Sequence, residues 1–173
     1  PMVRSRALGG ELGGGPSPVR LPDLDPAAKA KTAAWITELA PVEGRMGTKE
    51  RLEAEAVVQA HQAGKLEPKD GKPRRRVRDH GEPDLDFLIE DKAGKVVGYV
   101  DIKTPVDPDL RSVDLQATNI AETIKGYDKT TQVVVDLKRL LKAKDKAAFR
   151  AALESELKTR GLDLSRVTLM NHY

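Results

Sequence analysis

The sequence predicts an α/β fold of the α+β sandwich type, with one mixed central sheet flanked by helices in the order α-α-β-β-β-α-β-α-β. Three observations predict it. Segments with apolar residues three or four apart alternate with short segments of period two or of β-branched residues. Residues 83–90 and 96–103 alternate apolar and polar on either side of Asp91-Lys92-Ala93-Gly94-Lys95, which reads as a hairpin. A helical segment ending at Gly126 then leads into Thr131-Gln132-Val133-Val134-Val135-Asp136, a strand of the kind buried on both faces.

Residues 1–22 hold five glycines and four prolines, a composition that offers little burial against its chain entropy. Residues 1–24 therefore read as a flexible leader or linker and residues 25–173 as a single domain; the opening at Pro1 rather than Met reads as a fragment or processed product. Asp25 caps a first helix that has Pro26 at its first position and is stopped by Pro41. Thr48 is placed to cap a second helix ending at Gly64, with Leu52, Ala56, Gln59, Ala60 and Ala63 on one stripe. Glu55 falls on that stripe, where a carboxylate is costly unless something pairs with it. Residues 74–79 read as a short edge strand with Val77 inward. In the hairpin, Leu85, Phe87 and Ile89 share one face and Asp84 and Asp86 the other. On its second strand Val96, Val100 and Ile102 oppose Val97, Tyr99, Asp101 and Lys103. Residues 109–125 carry Leu110, Val113, Ala117, Ile120, Ala121 and Ile124 at helical spacing. Asp145 reads as the cap of a helix to residue 160, with Phe149, Ala152, Leu153 and Leu157 inward, and residues 166–172 as the last strand.

Composition removes several classes of function. The chain has 173 residues, no cysteine and six Phe, Trp or Tyr side chains. Disulfides, zinc–thiolate sites and thiol catalysis are excluded, and the sparse aromatics argue against a base-stacking platform. No apolar run approaches the roughly 20 residues of a membrane-spanning helix. The net charge of +3 conceals a segregation. Residues 65–80 carry seven basic and three acidic side chains, whereas residues 82–91 carry five acidic and no basic ones.

The acidic half suits metal chemistry. If residues 92–95 form a four-residue loop, Asp91 pairs with Val96, Asp86 with Asp101 and Asp84 with Lys103, all on one face. Opposed side chains on antiparallel strands have Cβ atoms about 5 Å apart. Two carboxylates at that spacing repel unless a cation joins them, and Mg²⁺ takes oxygen ligands at about 2.0–2.1 Å. A five-residue loop would send the acids to opposite faces unless a bulge compensated. With thiols absent and histidines sparse, the metal expected is a hard, oxygen-bound one, Mg²⁺ or Mn²⁺. Such a site suits phosphodiester hydrolysis, with Lys103 orienting the nucleophile or stabilising developing charge; its alternative is a simple ion-pair partner of the acids.

Pro83-Asp84 followed by Asp101-Ile102-Lys103, with a hydrophobic strand and a glycine-containing turn between, resembles the PD-(D/E)XK nuclease motif. The order of elements over residues 48–136 also resembles that family's core. The resemblance implies Asp84 and Asp101 as metal-binding acids, Lys103 as the catalytic lysine and a first-helix glutamate, for which Glu55 is the candidate. Asp86 doubles Asp84, and either could be the ligand. The Gly/Pro-rich leader, this core and the run from Ile124 to Leu137 are similar to toxin domains of contact-dependent growth-inhibition (CdiA-type) proteins. That likeness implies an RNA substrate, tRNA in particular, and a cognate immunity protein that blocks activity. It also implies export as part of a larger protein, with action in the cytoplasm of a target bacterium. Whether a host co-factor protein takes part is not legible.

Lys72, Arg74, Arg75, Arg76 and Arg78 abut the acids and could contact phosphates, or form a basic edge that resists pairing. His80 could contact phosphate or sit in a polar turn. Gln116 could face substrate or solvent, and Lys125 could widen the phosphate track or solvate a helix end. Two other readings stand beside the RNA nuclease: a DNA endonuclease or resolvase-like enzyme on the same core, and a non-catalytic module whose acidic face docks a basic partner.

Overall fold

The computed structural model describes residues 19–40, 47–77 and 85–170, with the side chains of residues 47 and 48 left aside. The elements follow the expected order: α1 (Pro26–Leu39), α2 (Gly47–Gln62), β1 (Lys72–Arg75), β2 (Phe87–Glu90), β3 (Val96–Lys103), α3 (Val113–Lys125), β4 (Gln132–Asp136), α4 (Ala143–Thr159) and β5 (Val167–Met170). The sheet has the order β1-β2-β3-β4-β5. β1, β2 and β3 run antiparallel in sequence, and β3, β4 and β5 are parallel. Helical crossovers supply the parallel pairs, which a hairpin cannot join. Among the described residues no helix is long and apolar enough to cross a membrane.

Two apolar layers sandwich the sheet. On one face Ile36 and Leu39 of α1 and Ala54, Val57 and Val58 of α2 pack with Phe87, Ile89, Val100, Ile102 and Val134. On the other, Ala117, Ala121 and Ile124 of α3 and Phe149, Leu153 and Leu157 of α4 pack with Val133, Val135 and Leu169. β4 therefore has a core on each face, which is why its central residues are three consecutive valines. Trp35 meets His61 edge-on, centroids 5.3 Å apart, and fastens α1 to α2. Arg160 ties α4 to α3 by donating to Glu122 at 2.6 Å.

The hairpin holds the arrangement on which the site depends. Its loop is one residue longer than the expected four: Glu90 pairs with Val96, and Asp91 accepts the Ala93 and Lys95 N–H groups at 2.9 Å. Gly94 takes φ of 81° there, a conformation costly for a side chain. A bulge at Ile89/Glu90 then restores the expected register, Ile89 with Gly98, Leu88 with Tyr99 and Phe87 with Val100. The extra loop residue is cancelled within the strand, so the acids keep a common side.

Several expectations are corrected. The folded region reaches back into the expected leader, because Val19 is buried and donates its N–H to the Leu169 carbonyl at 3.1 Å. β1 begins at Lys72, and Val77 is 89% exposed rather than inward, since Pro73 is the residue that turns to the core. The third helix starts at Val113 with Ser112 as its cap, which leaves Leu110 outside it and exposed. α4 starts two residues before Asp145, with Lys142 at the cap position, so Asp145 lies in the first turn and favours the helix dipole instead. On α2 the buried positions are Glu53, Ala54, Ala56, Val57, Val58 and Ala60, a broader face than the expected stripe. α2 is buried this widely because it packs against both α1 and the sheet.

Gly71 fixes the approach of the segment after α2 to the hairpin. A Cβ there would lie 2.5 Å from Ile89 Cγ2 and 3.0 Å from the Pro68 carbonyl. Ile89 is a stiff, buried β-branched side chain that cannot swing clear. Gly71→Ala should lower stability by about 1–3 kcal/mol in urea unfolding. Ile89→Leu, which removes the branch at Cβ, should recover part of that loss.

Candidate active site

Asp101 sits on β3, antiparallel to β2 on one side and parallel to β4 on the other, and is 2% exposed. Three side chains meet it. Lys103 Nζ lies 3.0 Å from Asp101 Oδ2. The Tyr127 hydroxyl donates to the same oxygen at 2.7 Å. Asp86, opposite Asp101 in the hairpin register, forms a side-chain hydrogen bond with it. Asp86 Oδ2 also accepts the Ile102 N–H at 2.8 Å, so the two strands are bridged by the acid as well as by backbone.

A third carboxylate approaches from α2. Glu53 is 7% exposed and close enough to Asp86 and Asp101 for its charge to act on both. Burial pushes its carboxyl up to about 6; Glu50 and Asp101 add to that, and Lys49 and Arg75 oppose it. Asp86 is pushed up to about 8, first by burial, then by the charges of Asp101 and Glu53, against the Ile102 N–H. Asp86 therefore holds its proton more tightly than an ordinary carboxyl, and the hydrogen bond between the two acids relieves the repulsion between them.

The tyrosine is positioned from a distance. Tyr127 follows the C-terminus of α3, where Gly126 closes the helix. Arg166, just before β5, donates to the carbonyls of Thr131 at 3.0 Å and Asp128 at 2.7 Å, clamping the 127–131 loop. Lys103 Nζ lies 5.6 Å from the Tyr127 ring centroid, so one ring meets both charged partners of the site.

The structure brings Asp86, Asp101 and Lys103 together as their register implies. Asp84, Arg78 and His80 lie outside the described residues. Glu55 goes elsewhere: its carboxylate pairs with Lys138, the residue two positions past β4. Glu53, two residues earlier and on the other side of the helix, occupies the place expected of Glu55. Gln116 is not turned to substrate. It is 6% exposed and saturated by the Val106 N–H, the Val106 carbonyl and the Arg111 carbonyl at 2.7–2.9 Å, which closes the loop before α3. Lys125 is exposed in the last turn of α3.

The basic run divides. Arg74 pairs with Glu90 at 3.0 Å and Glu38 at 3.3 Å, and Lys72 sits 5.3 Å from the Trp35 ring centroid. Arg75 donates to the Leu39 carbonyl and stacks on Phe87, centroid distance 5.5 Å. Arg76 takes a different place: its N–H donates to the Asp86 carbonyl at 3.2 Å, and its guanidinium lies 5.1 Å from the Tyr99 ring centroid.

All acidic donors here are oxygens, as Mg²⁺ or Mn²⁺ requires, and a buried acid pair held together by a shared proton is one that a divalent cation could join instead. Among the described residues, no three carboxylate or histidine side chains are gathered tightly enough to enclose an ion as they stand. Asp86 and Asp101 are the pair that fits, with Glu53 behind them.

No protein-family model matches the chain, and no curated protein matches it in sequence. Two solved structures are similar to part of it. One is an EndoMS–dsDNA2 complex, 19% identical, with a TM-score of 0.30 over 69% of this chain and 44% of that one. The other is SfsA from Pyrococcus furiosus in complex with Ca²⁺, 18% identical, with a TM-score of 0.34 over 70% of this chain and 55% of that one. The chain spans about half the length of these structures.

The raised Asp86 and Glu53 carboxyls set a pH signature. Folded groups that hold protons more tightly than unfolded ones contribute stability at low pH. That stability is lost as pH rises from the ordinary carboxylate range near 4 through about 6 for Glu53 and about 8 for Asp86. Asp86→Asn keeps an acceptor for Ile102 and a donor for Asp101 while removing the ionisation. Its melting temperature should exceed that of the wild type by several degrees at pH 8, and the gap should close towards pH 4. A gap independent of pH would show that Asp86 is not the group titrating.

Proposed function

We propose that the protein is a metal-dependent nuclease of the PD-(D/E)XK type that hydrolyses phosphodiester bonds in nucleic acid. The observation that carries this reading is the Asp86–Asp101 pair, hydrogen-bonded across the hairpin with Lys103 on the same Asp101 oxygen. Mg²⁺ or Mn²⁺ bound by Asp86 and Asp101 would polarise the phosphate and supply an activated water. Lys103 then holds positive charge beside the reacting phosphate and orients the nucleophile. Tyr127 fixes the Asp101 carboxylate and thereby the aim of the pair. Glu53 adds negative charge behind the pair, which a divalent cation held by Asp86 and Asp101 would help to neutralise. Asp84, from the sequence motif, is a further candidate ligand.

The finer reading follows the sequence. The substrate is RNA, tRNA in particular, and the domain is a toxin of contact-dependent growth inhibition. It is exported within a larger protein, acts in the cytoplasm of the target cell and is blocked by an immunity protein. A DNA endonuclease on the same core is the competing reading. A docking module is disfavoured by the burial and ion pairing of Asp101, which leave that carboxylate little charge to offer a basic partner.

Incubation with tRNA and with plasmid DNA, each with Mg²⁺ and with excess EDTA, separates the substrates. Asp101→Ala and Lys103→Ala should each lower cleavage by at least about 10²–10³-fold while the fold is retained. Undiminished cleavage in either variant, or full activity in EDTA, would overturn the mechanism. The two glutamates of α2 give an independent check: Glu53→Gln should slow cleavage severalfold or more, whereas Glu55→Gln should leave it at the wild-type rate.

A further inference from the structure

Beside the acids lies a cavity of about 340 Å³ lined by Arg76, Leu85, Tyr99, Tyr127, Asp128 and Thr131, among others. Its size falls at the lower end of small-ligand sites. The sparse aromatics argue against a stacking platform in the sequence, yet two of the three tyrosines meet here. One ring belongs to the residue whose hydroxyl holds Asp101, so the cavity is joined to the acid pair through a single side chain. Tyr99 is on β3, two residues before Asp101 and on the same face, and carries the Arg76 guanidinium 5.1 Å from its ring centroid. The Arg76 N–H in turn donates to the Asp86 carbonyl at 3.2 Å. Two aromatic side chains and a planar cation thus line one small recess next to the phosphate-handling groups.

We infer that this recess takes one unstacked nucleobase of the substrate strand, next to the phosphate held at Asp86 and Asp101. The inference rests on the nuclease reading and gives it a substrate class. A base can enter only when it is not stacked in a duplex, so the site selects single-stranded or looped nucleic acid over a continuous double helix. Stacking against Tyr99 and the Arg76 guanidinium reads a π-face, which every base has. Tyr127 has two tasks in this arrangement, one wall of the recess and one hydrogen bond to the metal-binding acid.

The test reads binding without turnover. In EDTA, wild-type protein is titrated into labelled 10-nucleotide single strands and the matching duplexes, as RNA and as DNA, with fluorescence anisotropy as the readout. The single strand should bind more tightly than its duplex, and the sugar that binds more tightly identifies the source of the base. Tyr99→Ala should weaken single-strand binding by about 5- to 150-fold, the range for losing one stacked base, and barely change duplex binding. Tyr99→Phe, which keeps the ring, should bind like the wild type, and a strand that is abasic at every position should reproduce the Tyr99→Ala loss. Equal binding of strand and duplex overturns the inference, as does a single-strand preference that survives Tyr99→Ala. So does a Tyr99→Phe variant that behaves like Tyr99→Ala. Uptake of single strands through Tyr99 by a protein that cleaves nothing would overturn the nuclease reading and leave the recess standing. Cleavage without single-strand preference would do the reverse.

Discussion

Asp101 is a carboxylate on the central strand of the sheet, and a group of that kind, 2% exposed, is stable only with direct partners. The surrounding structure supplies three: Lys103 from the same strand, Asp86 from the antiparallel neighbour and Tyr127 from the loop after α3. Each partner constrains an element: the hairpin must keep its register and α3 must end where Tyr127 can reach. Apolar packing fills both faces of the sheet, and the buried acid is the point at which the hairpin and the loop after α3 meet.

The bulge in the hairpin shows how narrow that alignment is. Side chains alternate along a strand, so one uncompensated residue would turn Asp86 to the opposite face. The irregularity at Ile89/Glu90 absorbs the extra residue of the loop before the acids are reached. Both sequence features needed to see the pairing, the alternating strands and the glycine turn, are local. The loop length and the bulge are two quantities that cancel, and only their difference is legible in the sequence.

Legibility follows the same division elsewhere. Residues with one strong local signal lie as expected: Asp25 caps α1 by accepting the Ala28 N–H at 2.7 Å, and Phe149, Leu153 and Leu157 face the core. The choice between Glu53 and Glu55 was not local. The two sit on either side of Ala54, and small alanines around them fit a helix face of several orientations. Packing against α1 and the sheet, together with Lys138 beyond β4, selects Glu53 as the inward acid. Tyr127 lies in the run that resembles toxin domains but carries no signal of a place in the site, because a tyrosine after a helix-ending glycine has no periodic pattern, and its partner lies 26 residues away. The basic run was visible as charge, but its division between internal partners and the site depends on Glu38, Leu39 and Glu90, which lie outside the run.

Arg166 introduces an order of assembly. It holds the carbonyls of Thr131 and Asp128 across 35 and 38 residues, and so fixes the Tyr127 loop from the far edge of the sheet. The link from Asp86 to Ile102 spans 16 residues and closes with the hairpin. Chains emerge from the ribosome N-terminus first, so the arginine that steadies the tyrosine is made after the acids and after the tyrosine itself. The complete constellation arrives only as the segment around β5 docks, and a chain interrupted before that point carries the acid pair without its clamp.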